Sequence, residues 1–302
     1  MLLDCAVIGG GPAGLAATLV LGRSRKRVAL FDGGTPRNAT ASYIGGFITQ
    51  DRISPAEFRR TAHVDLRAYP TVELHLNTLV TRIERAGPKL RVHAGGVAHE
   101  ARRVLVCTGV QDEPLPLEGS RELWGASLFQ CPYCHAWEHH DERFAYLATS
   151  PEEAAWAQVL RSWTNNVMIL TNGAFELPRD LCERLREASI LVEERRILRL
   201  ASERRQLTAI VVEGGVEVPR DVLFFRPVQR LTPVVAALAL ATADGGYVRV
   251  DEQYRTSIPT IYAAGDLVTH YHGALAAADA GSRAAHCINH ELTLALVADG
   301  QL

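Results

Sequence analysis

The sequence predicts an α/β protein of Rossmann-like units, and three observations predict it. A β-rich run, Cys5-Ala6-Val7-Ile8, feeds a glycine turn, Gly9-Gly10-Gly11-Pro12-Ala13-Gly14, which opens a helix-like stretch from Leu15 to Leu21. A second short apolar run, Arg27 to Phe31, stops at Asp32. Strand-like runs recur at Arg143–Leu147 and Val167–Leu170, the first followed by a helix start, so the strand-turn-helix unit is met twice.

The 302 residues give room for two modest domains, or for one inserted in another. Hydrophobic residues make up 47% and charged residues 22%, as in ordinary globular chains, and the formal charge is -2. That charge provides no basic field for nucleic acid and no strong pull to anionic membranes, so the expected partners are small molecules or a second copy. Met1 to Ile8 has no basic n-region and carries Asp4 inside its apolar run, so it reads as a strand and not a signal peptide. No apolar stretch nears the roughly 20 residues of a membrane-spanning helix, Val234 to Ala241 being too short. The expected location is cytoplasmic, with neither nucleic acid nor membrane as partner.

In the first unit Gly9 permits the turn, Gly11 lets the backbone approach a pyrophosphate, and Gly14 lets helix and strand pack closely. The helix N-terminus then offers unpaired N–H groups and a positive partial charge to the anion. Asp32 stands where a carboxylate accepts hydrogen bonds from ribose hydroxyls. Later, Val104 to Cys107 is a buried strand ending in Thr108-Gly109. Thr260 to Ala264 is another, ending in Gly265-Asp266 before a small-residue helix at Gly273 to Ala285. An Asp at a strand end beside a helix N-terminus can hold ribityl hydroxyls while that helix end faces the electron-rich side of a reduced flavin, which favours FAD over NAD.

The second unit keeps the scaffold without the glycines. Ser150 is the expected N-cap of its helix, with Pro151 at the first position and acids in the first turn. Ala148, Ser150 and Glu153 stand where glycines would admit a pyrophosphate. Glu152 and Glu153 would repel that anion by about 1 kcal/mol each. After Val167–Leu170 comes Thr171-Asn172-Gly173-Ala174-Phe175, with no basic cluster for the 2′-phosphate of NADPH. NADPH-driven reduction is therefore not expected.

Of six cysteines, Cys5 and Cys107 read as buried small hydrophobes in strands, and Cys182 and Cys287 receive the same reading in helix-like stretches. Cys131-Pro132-Tyr133-Cys134-His135 admits four readings: a c-type haem attachment, a zinc site with His135, His139 and His140, an inert buried pair, or a redox dithiol. The redox reading is preferred, with no metal expected. A thiolate is the reactive form, neighbouring positive charge favours it, and His135 directly follows the second cysteine where a general acid/base is useful. Trp124, Phe129, Tyr133 and Trp137 make the neighbourhood aromatic, although aromatics serve cores more often than ligands. His270, Tyr271 and His272 precede the last helix and can border a flavin or simply fill a polar loop.

Together Gly9–Gly14, Thr108-Gly109, the CxxC and Ala263-Ala264-Gly265-Asp266 resemble the low-molecular-weight flavoprotein disulfide reductases of the thioredoxin reductase type. The resemblance implies two Rossmann-like (three-layer) domains. An FAD-binding domain in 1–115 and 230–302 would be split by an inserted, degenerate nucleotide-binding-like domain, 116–229, bearing the CxxC. Several features are similar to the FAD-dependent dithiol oxidase branch, which closes disulfides in natural products of the gliotoxin, holomycin and romidepsin kinds. They are the lost second cradle, His135 in place of an acid, Asp32-Gly33-Gly34-Thr35-Pro36-Arg37-Asn38, Gly45-Gly46-Phe47-Ile48-Thr49-Gln50-Asp51, and Trp124-Gly125 ahead of the CxxC. Ala136 departs from the glycine common in that branch.

The resemblance implies FAD held by Gly9, Gly11, Pro12, Ala13, Gly14, Asp32, Gly33, Arg37, Asn38, Val80, Thr108, Gly109, Gly265, Asp266, His272, Gly273 and Ala274. It implies Cys131, Cys134 and His135 as catalytic residues, and a homodimer. A small-molecule dithiol would be oxidised, electrons passing through Cys131/Cys134 and FAD to molecular oxygen (O2) to give hydrogen peroxide. The alternatives are an NAD(P)H-linked disulfide reductase, or a non-catalytic flavin- or metal-binding protein.

Overall fold

A computed structural model describes residues 1–298 and 300, and the chain divides into two compact units. The first comprises Met1–Ala39, Phe47–Gln111 and Gln229–Leu302; the second comprises Thr40–Gly46 and Asp112–Val228. The short segment 40–46 thus belongs with the second unit although both its flanks belong to the first.

The first unit is built on β1 (Leu2–Ile8), α1 (Pro12–Arg23), β2 (Val28–Asp32), α2 (Pro55–Leu66), β3 (Val72–Leu76), β4 (Val80–Ala86), β5 (Lys89–Ala94), β6 (Val97–Val106) and β7 (Val110–Asp112). Its strands run in the order β3-β2-β1-β6-β5-β4. β1 pairs with β2 and with β6 in parallel, while β4, β5 and β6 form an antiparallel meander. β6 is long enough to do both: its first half pairs with β5 and its second with β1. Alternation along β1 decides the layers. Ala6 and Ile8 face a core shared with Val80, Ile83, Leu90 and Val92 of the meander. Cys5 and Val7 face a second core shared with Leu15, Ala17 and Leu21 of α1.

The second unit repeats the plan. It contains α3 (Ser120–Leu123), β8 (Leu128–Phe129), α4 (Pro132–His135), β9 (Phe144–Leu147), α5 (Pro151–Trp156), β10 (Val167–Leu170), α6 (Arg179–Glu187), β11 (Leu191–Glu193), β12 (Ile197–Glu203), β13 (Gln206–Val212), β14 (Val216–Pro219) and β15 (Val222–Phe225). A parallel sheet, β11-β10-β9-β15-β8, carries helices on one face and the β12-β13-β14 meander on the other. Phe144 and Tyr146 face the helices; Ala145 and Leu147 face the meander. This is the three-layer Rossmann type, met twice.

The chain finishes with β16 (Gln229–Leu231), α7 (Pro233–Ala236), β17 (Ile261–Ala263), which joins β6 in parallel, and α8 (Ala274–Ala298). Among the described residues no helix is long and apolar enough to cross a membrane. α8 packs on α1 so closely that a Cβ on Gly281 would stand 2.0 Å from the carbonyl oxygen of Ala13. Backbone cannot yield as a side-chain tip can, so Gly281→Ala must push α8 off α1. The expected cost is about 1–3 kcal/mol of unfolding free energy, read from the midpoint of urea denaturation.

Candidate cofactor cradle and redox centre

The β1–α1 turn is shaped by contacts that only glycine allows. Gly9 has φ +115°, and a Cβ there would meet the Cys107 carbonyl oxygen at 2.3 Å. A Cβ on Gly14 would meet the Gly9 carbonyl oxygen at 1.8 Å. Gly11, by contrast, faces open space and caps α1 without any side-chain hydrogen bond, with Pro12 following and no acid in the first turn. A bare N-terminus of a twelve-residue helix, with its backbone open beside Gly11, fits a pyrophosphate.

Asp32 closes β2 and is buried, accepting the Gly34 N–H at 2.9 Å. Its carboxylate also takes the Arg59 guanidinium and lies 3.8 Å from His63 Nε2. Arg59 and His63, one turn apart on α2, were not singled out from the sequence; their spacing on a single helix face is the signal that would have found them. The Nε of Arg59 and the Nε2 of His63 are buried with no hydrogen-bond partner among the described residues, so polar groups of a bound dinucleotide would satisfy them.

Gly265, at φ +91°, brings its Cα against Ala13: an added Cβ would stand 2.9 Å from the Ala13 methyl. This contact sets the end of β17 beside the start of α1. Arg37 Nη1 donates to Asp266 Oδ2 at 2.9 Å and lies 2.9 Å from His272 Nδ1. Gly273 directly precedes Ala274, the first residue of α8, with open space at Gly273. The Thr232 hydroxyl donates to that of Thr108 at 3.0 Å, and Gly109 turns the chain at φ +64°. Gly33 is exposed, and Asn38 lies in the turn that follows Arg37. Val80 sits in the core between sheet and meander, so its side chain is committed to packing. These residues fit FAD as a set.

In the second unit Cys131 and Cys134 form a disulfide, with Cys131 leading into α4. His135 stacks on Phe129, ring centroids 4.4 Å apart at 11°, and meets Tyr43 at 5.6 Å. Both its ring nitrogens are out of solvent without a well-formed hydrogen bond among the described residues. Burial pushes its pKa below the usual histidine value, against a smaller opposing effect of the Cys131 backbone, so the ring is neutral near neutral pH. Gly45 lies on the same motif: a Cβ there would stand 2.4 Å from the Cys134 carbonyl oxygen.

His139 Nδ1 pairs with Glu142 at 2.9 Å, and His140 Nδ1 bonds the Trp137 carbonyl at 2.7 Å. Among the described residues no three His, Cys, Asp or Glu converge on a metal position. Phe129 is core, and Trp124 packs edge-on against Phe225; Tyr133 and Trp137 are exposed. Burial raises the Cys5 thiol to about 12 and that of Cys107 further still, so both are inert. The buried reading does not extend to Cys182, which is exposed on α6, and Cys287 is only half-buried. Cys182 falls on the polar side of a helix whose buried positions are Leu181 and Leu185.

At the start of α5 the chain fills its own cradle. Ser150 Oγ accepts the Glu153 N–H at 3.3 Å. The Glu153 carboxylate accepts the Thr149 N–H at 2.9 Å and the Thr149 hydroxyl at 2.8 Å, so its charge is held over the residue before the N-cap. Glu152 is held below the usual carboxylate range by the Ser150 hydroxyl. At the same end of the sheet, Asn172 Oδ1 accepts the Ile197 N–H at 2.6 Å, and Arg195 is forked onto Glu193.

Comparison with known proteins shows which family the chain resembles. The family described as pyridine nucleotide-disulphide oxidoreductase matches residues 3–285. The chain is 28% identical over 277 residues to thioredoxin reductase tcpT of Claviceps purpurea, covering 88% of this chain and 86% of that protein. The crystal structure of HlmI superposes with a TM-score of 0.92 at 34% identity, covering 99% of this chain and 95% of that one. A putative thioredoxin reductase TrxB from Bacillus anthracis gives 0.91, also at 34% identity, over 97% and 99%.

Burial holds His135, His63 and His99 below the ordinary 6.5, so each binds its proton less readily folded than unfolded. Stability should therefore fall as pH drops below about 6.5 and level off beneath the depressed values. Urea midpoints measured across that range should show a smaller acid-side loss in His135→Phe than in the parent.

Proposed function

Because the chain belongs to the pyridine nucleotide-disulphide oxidoreductases, we propose that it is a dithiol oxidase that closes an intramolecular disulfide in a small-molecule natural product. The chain is a thiol–disulfide oxidoreductase of the FAD type. The observation that carries the finer reading is the contrast between two helix N-termini of identical topology. α1 is uncapped and free of acids, whereas α5 is capped by Ser150 with Glu152 and Glu153 in its first turn. A phosphate at α5 would have to displace the Glu153 carboxylate from two hydrogen bonds and meet its charge. Reducing equivalents then enter as thiols instead of as a pyridine nucleotide.

One thiolate of the substrate attacks Cys131, and the neutral His135 ring takes the proton. The Cys131–Cys134 bond breaks and a mixed disulfide forms. The second substrate thiol displaces Cys131, releasing cyclic disulfide and leaving both cysteines reduced. The exposed rings of Tyr133 and Trp137 on the same motif offer apolar surface to such a substrate. FAD, when bound, supplies the two-electron acceptor that restores the cysteine disulfide and hands the electrons to oxygen. The sum is one dithiol and one O2 giving one disulfide and one hydrogen peroxide. Gly9, Gly11, Gly14, Asp32, Arg37, Thr108, Asp266 and the start of α8 would hold the cofactor. A homodimer and a cytoplasmic setting accompany this reading.

An anaerobic titration tests it. A small dithiol should bleach the flavin, NADPH should not, and admission of air should restore colour with stoichiometric peroxide. Bleaching by NADPH would point to a reductase and overturn the reading. Cys134→Ser should abolish dithiol bleaching. His135→Gln should lower turnover by about 10²–10⁴-fold at neutral pH, as loss of a general base does, measured as peroxide release.

A further inference from the structure

One nitrogen of Arg37 serves two acceptors. Its Nη1 donates to Asp266 Oδ2 at 2.9 Å and lies 2.9 Å from His272 Nδ1. A guanidinium carries donors and no acceptor, so the contact to Nδ1 is a hydrogen bond only when that nitrogen presents a lone pair. The Gln229 amide reaches the same nitrogen, Nε2 to Nδ1 at 3.4 Å, while its oxygen accepts the Tyr247 hydroxyl at 2.9 Å. With its oxygen so engaged, the amide turns donors toward the imidazole. The Tyr247 ring also stands edge-on to His272, 5.9 Å between centroids at 73°. Two donors on one ring nitrogen leave the ring proton to the other.

We propose that Arg37, supported by the Gln229–Tyr247 pair, fixes His272 as its Nε2–H tautomer and so makes it a hydrogen-bond donor to bound FAD. His272 stands two residues before α8, where a helix N-terminus already favours negative charge of the kind a flavin gains on reduction. Gln229 and Tyr247 act through His272 and are positioning residues. The proposal rests on FAD as cofactor and is independent of which substrate or acceptor is used, so failure of the dithiol or oxygen reading leaves it standing.

The test uses FAD-loaded protein carrying isotope-labelled histidine, with His272 assigned by the signal lost in His272→Asn. Two-bond proton–nitrogen correlation should show Nδ1 unprotonated and Nε2 protonated. A Nδ1–H pattern, or an average of both forms, overturns the proposal. In Tyr247→Phe, which retains the ring, the pattern should shift toward the average and the flavin midpoint potential should become more negative. An unchanged spectrum and potential in that variant would remove the positioning role. In His272→Asn itself, a potential equal to the parent's would remove the donor role. The parent spectrum needs no variant to fold beyond the one used for assignment, and Arg37→Lys, which keeps a donor, should preserve the tautomer.

Discussion

Backbone meeting backbone without an intervening side chain is the constraint on which this molecule is organised. Around the start of α1 it occurs three times: at Gly9 against Cys107, at Gly14 against Gly9, and at Gly281 against Ala13. Each contact is closer than any Cβ permits, so each fixes an element in place more firmly than adaptable side-chain packing does. Their joint effect is to hold a helix end, with its unpaired N–H groups, at the tip of a parallel sheet. A cofactor site that depends on backbone donors needs this rigidity.

The two units solve the folding problem identically and differ in what they do with the solution. In both, alternate residues of central strands feed a helical core on one side and a meander core on the other. In both, a helix begins just after a strand in the middle of the sheet. At α1 no side chain caps the first N–H groups; at α5 Ser150 Oγ accepts the Glu153 N–H, and the Glu153 carboxylate folds back onto Thr149 just ahead of the helix. The second arrangement stabilises the helix locally and puts two carboxylates in a first turn where α1 has none. A capping side chain and an anion compete for the same N–H groups.

Much of this was legible before any coordinates. The glycine turn, the terminal Asp32, the acids at α5 and the paired cysteines are local patterns, and local patterns survive in sequence. Spatial relations between distant residues do not. Arg59 and His63 reach Asp32 because α2 packs against α1, which itself follows β1 beside β2, and nothing near Asp32 in sequence announces it. The partnership of Gln229, Tyr247 and His272 joins positions up to 43 apart. The exposure of Cys182 was hidden because a short helix with leucines on both sides of it reads as buried until its face is known. The Val80 side chain belongs to the meander core, which leaves its backbone as the part that could meet a cofactor, a distinction that no one-dimensional pattern makes.

The segment from Thr40 to Gly46 leaves the first unit, joins the second, and returns. It sets Tyr43 beside His135 and Gly45 on the Cys134 carbonyl. The unit bearing the cysteines is consequently assembled from two pieces of chain, one of them only seven residues long and encoded far upstream of the other. Any chimera that exchanges 112–228 with a homologue inherits a foreign strap beside its Cys131–Cys134 disulfide. Recombination between relatives would thus be tolerated only when both pieces travel together, which couples the evolution of a surface loop to that of a distant motif.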